Sequence, residues 1–343
     1  MPLLPASILQ AASGHLPDVL VPTSSWATMQ QLADRLPPAF NWLGFECRLD
    51  ADTRVDFAGC CEVWDGGREQ LVAAVAADPT FAGQGPAALI KAWGEPSSDL
   101  AEGCPAVWLE FDVLEREGVI PFAFLCLDPA CANTFRAQRH PPPPPPPDAL
   151  LAVASKAASL LSDGAPHEKA LEIFARCIQA LPRHGRALHM AATPHRGHTD
   201  LRLHFSMLAG DLVEWLEAVE WPGDFKHVRT IAGLLKHDFR QVGVQVAVGD
   251  VMRPELGIEL YVGGGGASRE GWPDTLARMV ELGLAQPAKA EALMAWWGSE
   301  TTKLPGVTWP VRIERQFYVK LKLKADKLAA KGYLALFPSF AVW

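Results

Sequence analysis

Lysines and tyrosines alternate with apolar residues in the stretch QFYVKLKLKADKLAAKGYLALF near the C-terminus of the chain. Successive side chains of a β-strand point to opposite faces of the sheet. In the two strands that this stretch predicts, one face therefore carries a row of cations and phenols: Tyr318, Lys320, Lys322, Lys331 and Tyr333. Such a face is either an ordinary solvated surface or the wall of an interior that needs positive charge.

The composition excludes several classes of protein. The chain has 343 residues, of which 49% are hydrophobic and 20% charged, and this suffices for a substantial core in one large domain or two. A net charge of −8 argues against nucleic acid as a partner. No apolar run reaches membrane-spanning length, and the N-terminus lacks the basic region of a signal peptide. The seven cysteines form no CxxC pair, so we expect reduced thiols and a cytoplasmic location.

One pattern repeats along the chain, namely a strand pair followed by one or two helices. The five strand pairs begin with FNWLGFECRLD and RVDFAGCCEV (40–63) and continue at 106–128, 186–207, 242–262 and 316–337. Short links between paired strands imply antiparallel neighbours. An open antiparallel sheet of about ten strands would leave two unpaired edges, which closure removes. We therefore predict a single α+β domain over residues 1–343, a ten-stranded antiparallel β-barrel coated by helices.

If the helices cover the apolar faces of the strands, the opposite faces line a lumen. The alternation places a mixed set of acidic, basic, aromatic and small residues there: Trp42, Gly44, Glu46, Arg48, Arg54, Asp56, Trp108, Glu110, Asp112, Arg202, His204, Ser206, Gln245, Glu259, Tyr261 and the five residues of the last pair. The segment PFAFLCLD (121–128) is apolar on both faces and cannot be oriented. A barrel this wide usually encloses a ligand cavity.

This architecture resembles the aromatic prenyltransferases of the ABBA, or PT-barrel, type, in which repeated ααββ units surround a ten-stranded barrel. Those enzymes include fungal indole prenyltransferases and bacterial enzymes that prenylate ribosomal peptides, so the resemblance also suggests natural-product biosynthesis. It rests on the order of elements and on short strand motifs: KGY (331–333), KLK (320–322), YVK (318–320), RLH (202–204) and ELY (259–261).

The resemblance implies transfer of an isoprenoid group from an allylic diphosphate to an aromatic or peptide acceptor. Cations around the leaving diphosphate would be drawn from Arg48, Arg54, Arg202, His204, Lys320, Lys322 and Lys331. Aromatic faces that shield the carbocation would be Trp42, Trp108, Tyr261, Tyr318 and Tyr333. The proton acceptor would be Glu110, with Glu46, Asp112 and Glu259 as alternatives. These carboxylates could equally serve only as ion-pair partners of the lumen arginines. Mg²⁺ would at most accompany the diphosphate.

One departure from the family keeps a second function open. The chain has only three tyrosines, whereas the family usually rings the diphosphate with several. A non-catalytic barrel that binds a peptide or a small hydrophobic ligand is therefore the alternative, with the polyproline segment 139–148 as a docking handle. That segment is otherwise interpreted as a surface loop, or as a linker between domains.

Three other patterns suggest chemistry but fit it poorly. The histidines of HGRALHMAATPHRGH (184–198) match no standard zinc spacing, so a turn plus one lumen histidine is the better interpretation. The segment VGGGGAS (262–268) lacks the Lys and Ser or Thr of a phosphate-binding loop. A five-fold propeller that modifies guanidino groups would need a late nucleophilic cysteine, but the last cysteine here is Cys177.

Overall fold

The computed structural model describes residues 3–78, 84–114, 118–129, 143–162, 167–192, 200–235, 240–260, 270–324 and 327–341. The helices within these ranges are α1 Pro5–Ala12, α2 Thr23–Arg35, α3 Gly67–Ala77, α4 Gln84–Gly94, α5 Asp99–Gly103, α6 Pro147–Leu161, α7 Glu168–Gln179, α8 Leu212–Ala218, α9 Phe225–Leu235, α10 Trp272–Glu281 and α11 Pro287–Trp296. The strands are β1 Trp42–Arg48, β2 Val55–Glu62, β3 Ala106–Leu114, β4 Gly118–Cys126, β5 Arg186–Ala192, β6 Leu201–Leu208, β7 Gln241–Val248, β8 Met252–Leu260, β9 Gly298–Thr302, β10 Val311–Lys324 and β11 Lys327–Phe340.

Ten of these strands form a closed antiparallel barrel, as the sequence predicts. Hydrogen bonding runs from β1 through β8 to β10 and β11, and β11 pairs back with β1, so the ring has no free edge. The sequence did not predict β9, which pairs with the first part of β10 outside the ring. Its residues, GSETT, lack the apolar alternation that marks the other strands.

The helices pack on the outer face of the barrel. The outward side chains of β1, Leu43, Phe45 and Cys47, are completely buried in one apolar cluster with helix residues such as Ile8 and Trp93. Helix α7 shows how the sequence specifies this packing. Its apolar side chains recur at helical spacing and are all buried against the barrel: Ala170, Ile173, Phe174, Cys177 and Ile178. Burial of this layer between sheet and helices is the main source of stability.

Several sequence predictions concern surface features. The proline-rich segment is described from residue 143 onward; residues up to 146 are mostly exposed, whereas Pro147 is the first residue of α6, as suits proline at a helix start. The part at 139–142 lies outside the described residues. The six described cysteines are buried thiols that form no disulfide with one another, as predicted, and Cys131 lies outside the described residues. None of the described helices is long and apolar enough to cross a membrane.

Candidate functional site

The inner face of the barrel changes character from one end to the other. At one end Trp42, Cys60, Trp108 and Phe124 lie opposite one another on strands β1 to β4. Toward the other end Lys320, Lys331 and Arg48 lie opposite one another on β10, β11 and β1. Like charges directly opposite in a sheet are destabilising unless an anion neutralises them. The lumen thus has an aromatic end and a basic end that requires counter-charge.

Two neighbouring cavities occupy this lumen and share three lining residues. The aromatic chamber encloses about 550 Å³ of space, part of it open to solvent. The basic chamber encloses about 340 Å³ by the same measure. The aromatic chamber is defined here by Trp42, Trp108, Leu188, His189, His204 and Tyr318. The basic chamber is defined by Glu46, Arg202, Gln245, Lys320, Lys322 and Lys331. Glu110, Phe124 and Tyr333 line both cavities and therefore stand where they meet.

Glu46 neutralises the cations on the β1 side of the basic chamber. Its Oε1 accepts hydrogen bonds from Lys331 Nζ and from Arg48 Nη1, the latter at 2.7 Å, and its Oε2 accepts one from the Tyr333 hydroxyl. Burial by itself would raise the pKa of Glu46, but Lys331 and Arg48 outweigh it and hold the pKa well below its ordinary range. Arg48 also donates to Asp56 at 2.7 Å. Glu46 is therefore a permanent anion with its lone pairs engaged, which makes it a poor proton acceptor.

Lys320 has a similar partner, whereas Lys322 has none among the described residues. Lys320 Nζ donates to Glu259 Oε1 at 2.9 Å. Lys322 lies opposite Gly257 on β8 and Ala329 on β11, so neither directly opposite residue offers it a charged side chain. Burial, and then the charges of Lys331, Arg202 and Lys320, lower the pKa of Lys322 to about 7.

Aromatic rings form the walls of the aromatic chamber. Trp42 and Trp108 lie edge to face with ring centroids 4.6 Å apart. A Cβ at residue 44 would lie 2.3 Å from the Trp42 ring, so Gly44 is what allows that ring to lie against the barrel wall. The rings of Tyr318 and Tyr333 are stacked, with centroids 4.4 Å apart. Burial, together with nearby carboxylates, raises the pKa of both phenols well above the ordinary value, so both stay neutral.

Most residues that the sequence assigned to the lumen do lie there, but Arg54 does not. It precedes the first residue of β2 and is exposed, and its guanidinium pairs with Asp52 in the turn. Asp112 is buried on β3 but lines neither chamber. Tyr261, His195, His198 and the segment 262–268 lie outside the described residues. The roles that the sequence assigned to these side chains remain predictions.

The structure adds residues to the lumen that the sequence analysis did not place. Phe122 and Phe124 point inward from β4, whereas Ala123 belongs to the outer core, which settles the orientation of the doubly apolar segment. A register shift in β5 between Ala187 and His189 brings two successive side chains, Leu188 and His189, into the aromatic chamber. His189 is thus the lumen histidine of the described part of 184–198, and His204 lies in the lumen as the strand alternation predicted. Within the described ranges, no group of three His, Cys, Asp or Glu could hold a metal ion.

Removing Glu46 is expected to destabilise the protein strongly. Glu46→Gln leaves Lys331 buried without its anion and should lower the free energy of unfolding by about 3 kcal/mol, measured by urea denaturation. Because folding lowers the pKa of Glu46, its contribution is complete above the ordinary pKa of 4.5 and is lost as pH falls toward the lowered value. The matched control is Glu314→Gln, since Glu314 forms only an exposed pair with Arg312 and should contribute less than about 1 kcal/mol. Equal effects of the two changes would contradict this account of Glu46.

Comparisons with known proteins support this fold assignment. No protein-family model and no curated protein matches the sequence. Among solved structures, the chain is similar to 6-dimethylallyltryptophan synthase from Micromonospora olivasterospora, solved in complex with DMASPP and Trp. The TM-score is 0.51 and the identity 13%, over 96% of this chain and 94% of that one. The chain has the PT-barrel fold. A further match is AnaPT from Neosartorya fischeri, with a TM-score of 0.49 and 14% identity over 88% of this chain and 78% of that one.

The likeness to the Micromonospora enzyme shows the fold. The resemblance to the aromatic prenyltransferases drawn from the order of sequence elements is therefore confirmed for this PT-barrel protein at the level of architecture.

Proposed function

We propose that this protein transfers an isoprenoid group from an allylic diphosphate to an electron-rich aromatic acceptor inside the barrel. The observation that carries the proposal is Lys322, a largely buried ammonium group that has no anion of its own among the described residues and is surrounded by Lys320, Lys331 and Arg202. A site with surplus buried positive charge favours a multiply charged anion. The adjoining aromatic chamber offers apolar and aromatic walls to the isoprenoid chain.

Ionisation of the donor is the step that the basic chamber would assist. The C1–oxygen bond of the allylic diphosphate breaks, the electron pair leaves with the diphosphate, and the lysines and Arg202 stabilise the added negative charge. The neutral Tyr333 hydroxyl, at the meeting point of the chambers, already donates to Glu46. If the donor sits with its diphosphate near Lys322, its isoprenoid chain would point toward the aromatic chamber.

The allylic cation would then be held by aromatic faces. The stacked Tyr318 and Tyr333 and the pair Trp42 and Trp108 present electron-rich faces to the lumen, and such faces stabilise a cation while excluding water. An acceptor ring carbon attacks C1 of the cation, and a carbon–carbon bond forms. The acceptor then loses one proton to restore its aromaticity.

Glu110 is the residue we assign to accept that proton. It lines both chambers, so it stands near the point where the donor and the acceptor must meet. Glu46 is engaged by three donors and has a lowered pKa, and Glu259 is paired with Lys320. Of the lumen carboxylates considered from the sequence, Glu110 is the one that lines both chambers, and on this ground we assign it to general base catalysis.

The acceptor class follows from the same walls. Trp42, Trp108 and Phe124 give the aromatic chamber apolar ring walls that suit a flat aromatic molecule, and the Micromonospora enzyme with this fold is named for the dimethylallylation of tryptophan. We propose an indole or phenol as acceptor, free or as the side chain of a peptide.

Incubation of the protein with an allylic diphosphate and a set of indoles, phenols and aromatic peptides tests the proposal. Dimethylallyl, geranyl and farnesyl diphosphate are each used, with Mg²⁺ and with EDTA, and products are detected by mass spectrometry. The expected result is a product in which one prenyl group of the donor replaces one hydrogen of the acceptor, together with released diphosphate. The absence of product from every pair, with no diphosphate binding by calorimetry, would contradict it.

One observation favours a binding-only barrel as the second candidate. Lys320, Lys331 and Arg48 are already neutralised by Glu259 and Glu46, so most of the basic end is balanced without a donor. In that case a hydrophobic or peptide ligand would bind the aromatic chamber, and the diphosphate would not bind at all.

Donor binding is expected to weaken as pH rises above 7. In the free protein the pKa of Lys322 is lowered to about 7, and a bound diphosphate favours the ammonium form. Binding therefore takes up a proton, and affinity should fall by up to about tenfold per pH unit above 7. Calorimetry with a thiolo analogue of dimethylallyl diphosphate at pH 6.5, 7.5 and 8.5 measures this. The diphosphate itself loses a proton as pH rises, and its added negative charge strengthens binding. The Lys322→Ala variant measures this effect of the ligand without the effect of the lysine. A dependence that is the same in both proteins would refute the assignment.

A further inference from the structure

His204 lies in the aromatic chamber with its ring held in place on two sides. It projects inward from β6, directly opposite His189 on β5 and Gln245 on β7. It is only 6% exposed. Its ring packs edge to face against Phe124 and His189, with distances between ring centroids of 5.3 Å and 5.7 Å. The orientation of the imidazole is therefore fixed by packing, as a recognition group requires.

The surroundings of His204 determine which ring nitrogen carries a proton. Burial, followed by the charge of Lys320, lowers the pKa of His204 well below the ordinary value, so the ring is neutral and has one N–H. Nδ1 lies 3.8 Å from Glu259 Oε1. That distance is too long for a hydrogen bond; we assign the proton to Nδ1 because this ring nitrogen has a carboxylate oxygen nearby. Nε2 is then left with a lone pair and can only accept a hydrogen bond.

Within the part of the chain that the structure describes, His204 Nε2 is buried and has no hydrogen-bond partner. Ser206, two residues further along the same face of β6, is 3% exposed and its Oγ also has no partner there. Unsatisfied buried polar atoms cost free energy unless something fills them. Of these two residues, His204 lines the aromatic chamber. This arrangement is complete only when a polar group of a ligand, or a water molecule, is present.

We propose that His204 determines acceptor specificity by accepting a hydrogen bond at Nε2 from an O–H or N–H group of the aromatic molecule in the aromatic chamber. The inference rests on the proposed function, because it takes that molecule to be the prenyl acceptor. A methyl ether of the same ring cannot donate, so it leaves Nε2 unsatisfied. The carboxylates Glu110 and Glu259, which line the same chamber, act against an acceptor whose polar group is an anion.

Two ligands that share a naphthalene ring test the proposal, because one carries a hydroxyl that can donate a hydrogen bond and the other a methyl ether that cannot. The dissociation constants of 2-naphthol and 2-methoxynaphthalene are measured by quenching of tryptophan fluorescence in the wild type and in His204→Phe. We expect the wild type to prefer naphthol roughly tenfold. In His204→Phe the preference should fall to about twofold or less, because naphthol binds more weakly. His204→Gln, which retains a side-chain acceptor, should restore part of the preference. His227→Phe on α9, outside the barrel, should leave it unchanged.

Each outcome bears on the proposal. Equal affinity of the two ligands for the wild type, no binding of naphthol, or a preference that persists in His204→Phe would overturn it. If Nε2 accepts a hydrogen bond only from a water molecule, the wild type should bind the two ligands with equal affinity. Far-UV circular dichroism shows that the variants are folded. If the preference is found but no isoprenoid transfer occurs with any donor, the proposed function fails and His204 remains a ligand-recognition residue. If transfer occurs without the preference, only the inference about His204 fails.

Discussion

Lys322→Ala is expected to weaken binding of dimethylallyl diphosphate by about thirtyfold. The change removes a largely buried ammonium that lacks an internal anion among the described residues, so its charge is available to a ligand. A hydrogen bond between charged groups contributes about 2 kcal/mol, and this corresponds to the expected factor. Removing this lysine also relieves its repulsion by Lys320, Lys331 and Arg202, so the protein should not lose stability. Calorimetric titration with the thiolo analogue measures the affinity.

Lys324→Ala is the matched control for this prediction. Lys324 follows on the same strand and the same face but is exposed at the strand end, where solvent screens its charge. Its removal should change the affinity by less than about threefold. Similar losses in the two variants would show that donor affinity depends on net charge rather than on a site built around Lys322.

Glu110→Gln is expected to slow product formation by a factor of about 100 to 10,000, which is the usual contribution of a positioned general base. Donor affinity should stay within about threefold, since Glu110 is not among the cations that hold the diphosphate. The glutamine keeps the size of the side chain, so the meeting point of the two chambers is not enlarged. Single-turnover formation of prenylated product, alongside calorimetric donor binding, separates the two effects.

Glu281→Gln serves as the control for Glu110, because Glu281 is exposed at the end of α10 outside the barrel. Unchanged turnover in Glu110→Gln would remove this residue from the mechanism. A parallel loss of donor affinity would instead assign it a role in the basic chamber.

The sequence predicted the barrel because its signal is periodic. Alternation along β10 and β11 is unbroken from Tyr318 to Lys322 and from Lys331 to Leu334, so both register and facing direction follow from it. The repeated order of helices and strand pairs then implied closure. The same regularity correctly placed Glu46, Glu110 and Glu259 inside, before any partner could be known.

Local departures from the period could not be predicted. The shift in β5 that turns both Leu188 and His189 inward is not marked by glycine or proline. Arg54 was misplaced because Asp52 captures its guanidinium and backbone N–H in the turn, a local side-chain contact that competes with strand continuation. Phe122 and Ala123 are both apolar, so only three-dimensional packing shows which of them faces the lumen.

The electrostatic character of the site also lay beyond the sequence. Six basic residues share the predicted inner face, but their partners depend on register between strands far apart in the chain. Lys320 meets Glu259 and Lys331 meets Glu46 across neighbouring strands. Lys322 meets Gly257 and Ala329 instead. The sequence alone therefore could not single out Lys322, because its lack of an anion among the described residues depends on how the strands pair in the closed barrel.

A crystal structure of the protein with the thiolo analogue of dimethylallyl diphosphate would test most directly whether the lumen is a donor site. We expect diphosphate oxygens within hydrogen-bond distance of Lys322 Nζ and the side chains of Arg202 and Lys331, with the isoprenoid chain between Tyr333 and Trp108. An analogue bound on the outer surface, or one whose diphosphate lies at the aromatic end of the lumen, would contradict the account.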